Sequence, residues 1–203
     1  MPGLREKKKS DRKYRIQSAA IKLFGSVGFD AATMGQIAEE ANLGVGTLYN
    51  YYKSKGDLLL SIIADRAEGY VPDFDKAIGS RSKDILAAIN SFYDIYFESF
   101  STYNKLIWRE FISNMLSKQP SMMEMIAKID TVYLNKFSEL LIKLKADGFL
   151  KKESDVEGAV LTQYSLLVFH ILRYVSDEGM TMEALRESLS TQTKIVIDGL
   201  KAE

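Results

Sequence analysis

The sequence predicts an all-α protein of about nine helices, with a small three-helix N-terminal domain followed by a larger helical body. Two observations carry this expectation. Only three prolines occur in 203 residues, at positions 2, 72 and 120, so few points interrupt a helix. Between them, apolar residues recur at spacings of three and four, the period of a helix with one buried face. No alternating pattern of comparable length marks a strand.

Taken in order, the first helix is expected from about Asp11 to Val27, with Ile16, Ala19, Ala20, Leu23, Phe24 and Val27 on one stripe and Gly28 ending it. Thr33-Met34-Gly35-Gln36 reads as a capping box that starts a short second helix through about Glu40. Its inward positions are Met34, Ile37, Ala38 and Ala41. Asn42-Leu43-Gly44 breaks the pattern, because Asn and Gly tolerate left-handed and cap conformations. A third helix of under two turns covers Val45 to Tyr52, and Ser54-Lys55-Gly56-Asp57 heads a fourth carrying Leu58, Leu59, Ile62 and Ile63.

After Pro72 about five more helices are expected. Their stripes are Ile85/Ile89/Phe92/Tyr96, then Ile107/Trp108/Phe111/Ile112/Met115, then Ile126/Ile129/Tyr133/Phe137/Leu140/Leu144 closed by Gly148. A final pair runs from Ser154, heading a Ser-x-x-Glu box with Glu157, to Val175, and from Met182 to Leu200. The first of that pair is apolar nearly all round and so needs two partners, its own core and a second subunit.

The zero net charge conceals an asymmetry. Residues 1–55 carry ten Lys/Arg against five acids, whereas the other 148 carry 17 against 22. A basic end on an acidic body either meets a polyanion or is a solvated tail. With no cysteine, disulfides and thiolate metal sites are excluded, which fits a reducing cytoplasm. No apolar run approaches the roughly 18 residues of a membrane span, so a soluble chain with no membrane partner is expected.

A helix-turn-helix needs a short helix, a tight turn and a second helix whose outer face is free to enter the major groove. Residues 33–52 supply all three. On a helical wheel Leu48 and Tyr52 face inward, Gly46, Thr47 and Asn50 face outward, and Tyr49 and Tyr51 flank them. Gly46 either lets the backbone approach a phosphate or base, or permits close helix packing.

The run from Thr33 to Leu59, with Ala19-Ala20, Leu23-Phe24 and Gly28-Phe29 before it, resembles the signature of the tetracycline-repressor (TetR) family of transcriptional regulators. The resemblance covers about the first 60 residues. It implies a DNA-binding domain at 1–55 with a basic N-terminal arm and a ligand-binding and dimerisation domain at 56–203. It also implies a homodimer reading a palindromic operator and a small effector that releases DNA. Carried over residue by residue, Thr33 would cap the second helix and donate to a phosphate. Thr47 and Asn50 would meet bases or phosphates, Tyr49 and Tyr51 the DNA backbone, and Lys55 a phosphate, with Gly44, Val45 and Gly46 completing the surface. Gly44 and Val45 depart from the family pattern, and Val45 can only touch a thymine methyl or pack locally. Asn42 replaces the usual glycine. With no arginine on the recognition helix, modest base readout supported heavily by phosphate contacts and the basic arm is expected.

In the body, Tyr93, Tyr96, Phe97, Phe100, Trp108, Phe111, Met115, Tyr133, Phe137 and Tyr164 either fill the core or line a mostly apolar pocket for a lipophilic or aromatic effector. Leu161, Val168, Leu172, Leu189 and Val196 are the expected dimer interface. His170, the single histidine, is a core or interface residue or a ligand contact. One histidine without cysteines builds no structural zinc site, no Ser–His–Asp grouping stands out, and no cofactor or enzyme activity is implied.

Overall fold

A computed structural model describes residues 3–79, 84–101, 103–115 and 120–201, and the side chains of a few helical residues, Met115 among them, lie outside that description. Ten helical segments lie among the described residues: α1 (Leu4–Ser26), α2 (Met34–Glu40), α3 (Val45–Tyr49), α4 (Lys55–Gly69), α5 (Val71–Gly79), α6 (Ile85–Ser101), α7 (Lys105–Met115), α8 (Pro120–Ala146), α9 (Val156–Ser176) and α10 (Met182–Leu200). The all-helical expectation holds, and the only extended pairing described is an isolated bridge between Leu150 and Lys201.

Three differences have simple causes. Helix α1 starts at Leu4 rather than near Asp11, so the expected basic arm is itself helical. Its Lys, Arg and Glu residues are good helix formers, and Glu6 accepts from the Gly3 N–H at 3.1 Å to close the first turn. Helix α5 was not anticipated because Pro72 reads as a breaker. Pro72 sits in the first turn, where its missing N–H is one the helix leaves unpaired anyway. The cap of α9 is Asp155, whose carboxylate accepts from the Gly158 N–H at 3.0 Å, and not Ser154. The Ser154 hydroxyl instead donates to the Leu200 carbonyl at 3.3 Å.

The chain divides into two compact units, Met1–Asp65 with Tyr103–Ile126, and Arg66–Thr102 with Ala127–Glu203. In the first, Ile16, Ala20 and Phe24 of α1 are buried with Ile37 and Ala38 of α2, Leu48 of α3 and Leu58 of α4. In the second, Phe92, Tyr93 and Phe97 of α6 are buried with Phe137 of α8, Leu167 of α9 and Leu189 of α10. Among the described residues no helix is long and apolar enough to cross a membrane.

Candidate functional site

The helix-turn-helix is built by its caps. Thr33 Oγ1 accepts from the Gln36 N–H at 3.2 Å, while Gln36 Oε1 accepts from the Thr33 N–H at 2.9 Å and from its hydroxyl at 3.0 Å. Both halves of the expected box are therefore present, and the Thr33 hydroxyl spends its proton inside the box. Helix α2 ends in a paired closure, with Leu43 N–H on the Ala38 carbonyl at 2.8 Å and Asn42 N–H on the Glu39 carbonyl at 2.9 Å. That closure requires a left-handed residue, and Asn42 supplies it at φ 52°. Asparagine tolerates this region better than other residues with a side chain, so it serves where the family pattern has glycine. The Arg15 guanidinium braces the same turn, donating to the carbonyls of Ala41 and Asn42, the latter at 3.0 Å. Sequence reading missed this brace, for which no local signal exists.

Helix α3 then presents its outer face. Leu48 and Tyr52 are buried as expected, whereas Val45 is 44% and Tyr49 51% exposed, and Gly44, Gly46 and Asn50 are also exposed. Thr47 and Tyr51 are half-buried. A Cβ added at Gly46 would meet nothing within 4 Å, so no neighbour among the described residues requires glycine there for packing. Open space at that position leaves the backbone free for approach from outside.

Lys55 is placed differently from the other candidates. Its ammonium turns inward onto the turn after α1, donating to the Phe29 carbonyl at 2.6 Å and the Asp30 carbonyl at 3.0 Å, 4.7 Å from the Phe29 ring centroid. Glu110 of α7 belongs to the same neighbourhood. Burial and then the Asp30 charge hold its carboxyl above the usual range, with Lys55 pulling it back.

The body aromatics fall into two groups. Tyr93, Tyr96, Phe97, Phe100, Tyr133, Phe137 and Tyr164 form a continuous cluster, with Phe137 stacked on Tyr93 at 6.0 Å and on Tyr133 at 5.8 Å. Tyr96 and Tyr164 lie 5.3 and 5.5 Å from Tyr133. Trp108 and Phe111 pack on each other at 5.8 Å in the other unit, beside Tyr103. The expected Met115 contribution lies outside the described side chains.

Polar handles punctuate the cluster. Gln163 Oε1 accepts from the Tyr93 hydroxyl at 2.7 Å and from Thr193 at 3.1 Å, and the Tyr164 hydroxyl donates to Asp130 at 2.6 Å. Burial raises the pKa of Asp130 while the Tyr164 hydrogen bond opposes it, and the hydroxyls of Tyr93, Tyr96, Tyr133 and Tyr164 are all raised, chiefly by burial. Tyr133 Oη has no hydrogen-bond partner among the described residues, and the His170 ring nitrogens reach none at hydrogen-bonding geometry, Gln192 being the nearby side chain that favours the charged ring. Gln163 and Asp130 were not singled out by the sequence, because an isolated polar residue on an apolar stripe has no pattern of its own.

The expected interface residues also divide. On α9, Leu161 is 52% and Leu172 40% exposed, and Val168 is exposed between them. On α10, Leu189 is 0% exposed and Val196 half-buried. Leu189 therefore fills its own protomer's core and is corrected as an interface residue. The apolar side chain that α10 leaves open is Ile195, and Phe169 adds to the α9 face.

Residues 16–62 match the model of the bacterial regulatory proteins of the tetR family. An HTH-type transcriptional regulator of Staphylococcus aureus (strain bovine RF122 / ET3-1) is 34% identical over 64 residues, which is 32% of this chain and 35% of that protein. The match thus spans about a third of that relative's length. Among solved structures, the transcriptional regulator FadR from Bacillus subtilis in complex with stearoyl-CoA is similar at TM-score 0.71 and 18% identity, covering 92% of this chain and 98% of that one. Thermus thermophilus FadR, a TetR-family transcriptional repressor in complex with lauroyl-CoA, is similar at TM-score 0.70 and 20% identity, covering 94% and 96%. At such identities the likeness is one of fold. All of these similar proteins are named as transcriptional regulators rather than enzymes.

Proposed function

We propose that this chain, whose residues 16–62 match the model of the tetR family of bacterial regulatory proteins, is a cytoplasmic, ligand-responsive repressor that binds a palindromic operator as a homodimer. DNA binding is assigned to residues 1–55, and effector binding and dimerisation to 56–203. The observation that carries the reading is the uncovered outer face of α3, where Val45, Gly46, Tyr49 and Asn50 are exposed on a helix anchored from beneath by Leu48. A helix face exposed in this way, entered through the left-handed Asn42 turn, suits the major groove.

Asn50 and Thr47 offer hydrogen bonds to base edges, Val45 an apolar contact to a thymine methyl, and Tyr49 and Tyr51 hydroxyls to phosphates. Thr33 and Gly44 line the approach. The exposed stripe Leu161, Val168 and Leu172 on α9 is the seam between subunits. It is apolar, sits at helical spacing and is exposed among the described residues. The aromatic cluster around Tyr93, Tyr96, Tyr133, Phe137 and Tyr164 takes a small lipophilic effector, a class in keeping with the acyl-CoA molecules in the similar FadR structures.

Selection of bound duplex from random oligonucleotides, followed by titration with lauroyl-CoA and other lipophiles, tests the proposal. A recovered inverted repeat, lost with Tyr49→Ala in a variant that keeps its helicity and its oligomeric state, is the expected result. Operator affinity unchanged in Tyr49→Ala refutes the assignment of α3.

A further inference from the structure

Four helices bring polar groups into the aromatic cluster, and their hydrogen bonds do not balance. Gln163 of α9 is 1% exposed, and its Oε1 accepts from two hydroxyls, those of Tyr93 on α6 at 2.7 Å and Thr193 on α10 at 3.1 Å. With both donors on the oxygen, the amide is fixed in orientation. Its Nε2, carrying two N–H groups, is left without a partner among the described residues. The hydroxyl of Tyr133 on α8, a residue 3% exposed, has none either. It stands close enough to the hydroxyls of Tyr93, Tyr96 and Tyr164 for their charges to act on its ionisation. The two unmet donors therefore share Tyr93 as a neighbour.

A buried donor without an acceptor destabilises a fold, and folded proteins keep few of them. Tyr133→Phe would retain the ring contacts with Phe92, Tyr96 and Phe137 and remove that cost, so packing alone does not call for the hydroxyl. Space for a bound group reaches the same network. Tyr93 and Phe97 are the buried lining of a cleft of about 240 Å³ between α6 and α10, whose charged residues, Asp94, Arg186 and Glu187, are exposed. Arg186 is already held by Asp94 at 3.1 Å. The charge that acts on the tyrosines is that of Asp130, which raises the Tyr96 hydroxyl and accepts from Tyr164. A carboxylate there opposes an anionic ligand, and N–H donors oppose a cationic one. An uncharged oxygen acceptor satisfies both conditions.

We infer that Gln163 Nε2 and Tyr133 Oη select the effector by donating to an uncharged carbonyl oxygen, of a ketone or ester, carried on an apolar body. This rests on the proposed effector-binding function and narrows it, because a free carboxylate on the same apolar body is discriminated against. Tyr93 and Thr193 set the orientation of the Gln163 amide that makes the selection.

The test titrates the full-length protein with methyl octanoate, octanoate and octyltrimethylammonium at neutral pH by calorimetry, on wild type, Tyr133→Phe and Gln163→Met. Thermal unfolding of each unliganded protein is measured alongside. Wild type is expected to bind the ester roughly tenfold more tightly than either charged analogue. Tyr133→Phe removes a hydroxyl that bonds nothing among the described residues, so its Tm is expected to hold or rise while ester binding weakens roughly fivefold. Gln163→Met is expected to weaken ester binding too, but with a lower Tm, since Tyr93 and Thr193 lose their acceptor. Unchanged ester affinity in both variants, or wild type binding octanoate or octyltrimethylammonium as tightly as the ester, overturns the inference and leaves the lipophilic effector standing. A fall in Tm for Tyr133→Phe assigns that hydroxyl to the fold and overturns it as well. If none of the three probes binds or alters operator affinity, the lipophilic-effector reading itself fails and takes the inference with it.

Discussion

Replacing Lys55 by methionine separates two roles for a residue that the family resemblance assigns to phosphate. The variant keeps most of the stem and removes only the ammonium. In the folded chain that ammonium donates to Phe29 O at 2.6 Å and Asp30 O at 3.0 Å and lies 4.7 Å from the Phe29 ring centroid. A hydrogen bond from a charged donor is worth about 1.5–3 kcal/mol, and a cation over a ring at an accessible site about 0.5–1 kcal/mol. The Asp30 contact is exposed, so solvent screens much of its share. A net loss of about 2 kcal/mol follows, which for a chain of this size lowers Tm by roughly 4–8 °C.

Glu110 reinforces this effect, since Lys55→Met removes the charge that pulls its raised carboxyl back toward the ordinary range. Calorimetry and operator binding across a salt series, done on the same protein, distinguish the roles. A residue that clamps the turn gives a lower Tm with little change in salt slope. A residue that grips phosphate gives an unchanged Tm and a slope shallower by roughly 0.9 per contact, and that result refutes the structural role.

Three further outcomes follow from the body. Phe137→Ala removes a fully buried ring that touches Phe92, Tyr93 and Tyr133, and should cost about 3–5 kcal/mol in urea unfolding; a loss below about 1 kcal/mol contradicts the packing described. His170 is buried, and burial holds its pKa below the ordinary value of about 6.5, with Gln192 partly offsetting the effect. The unfolded chain therefore binds the proton first: the neutral form's contribution is full above about pH 6.5 and is lost as pH falls toward the folded pKa. His170→Gln should flatten that decline in denaturation midpoints, and an equally steep decline counts against it. Leu172→Glu places a charge on an exposed part of α9, so the protomer should fold normally while sedimentation shows monomer; an intact dimer moves the seam elsewhere.

How much of this was legible beforehand depends on the range of the interactions. The Thr33 box, the left-handed Asn42 and the inward Leu48 and Tyr52 were all readable, because each is decided by residues within a few positions of one another. The start of α1 was misplaced because charged helix formers carry no apolar stripe, and α5 was missed because a proline in a first turn looks like one that ends a helix. Leu189 and Leu161 have the same hydropathy and both sit on periodic stripes. Only the neighbours brought to α10 and α9 by the fold decide which of them is covered.

The sequence by itself determined the helical class and the helix-turn-helix, since periodicity, caps and turn residues act locally and need no knowledge of distant chain. Only the tertiary structure decided where the long polar side chains went. Lys55 turns to carbonyls 25 and 26 residues away, and Arg15 to carbonyls 26 and 27 away, whereas Lys8, Lys9 and Arg12 stay exposed. A lysine or arginine reaches several ångströms in any direction and finds partners only where the fold brings them, so its role is set by contacts that no local pattern encodes.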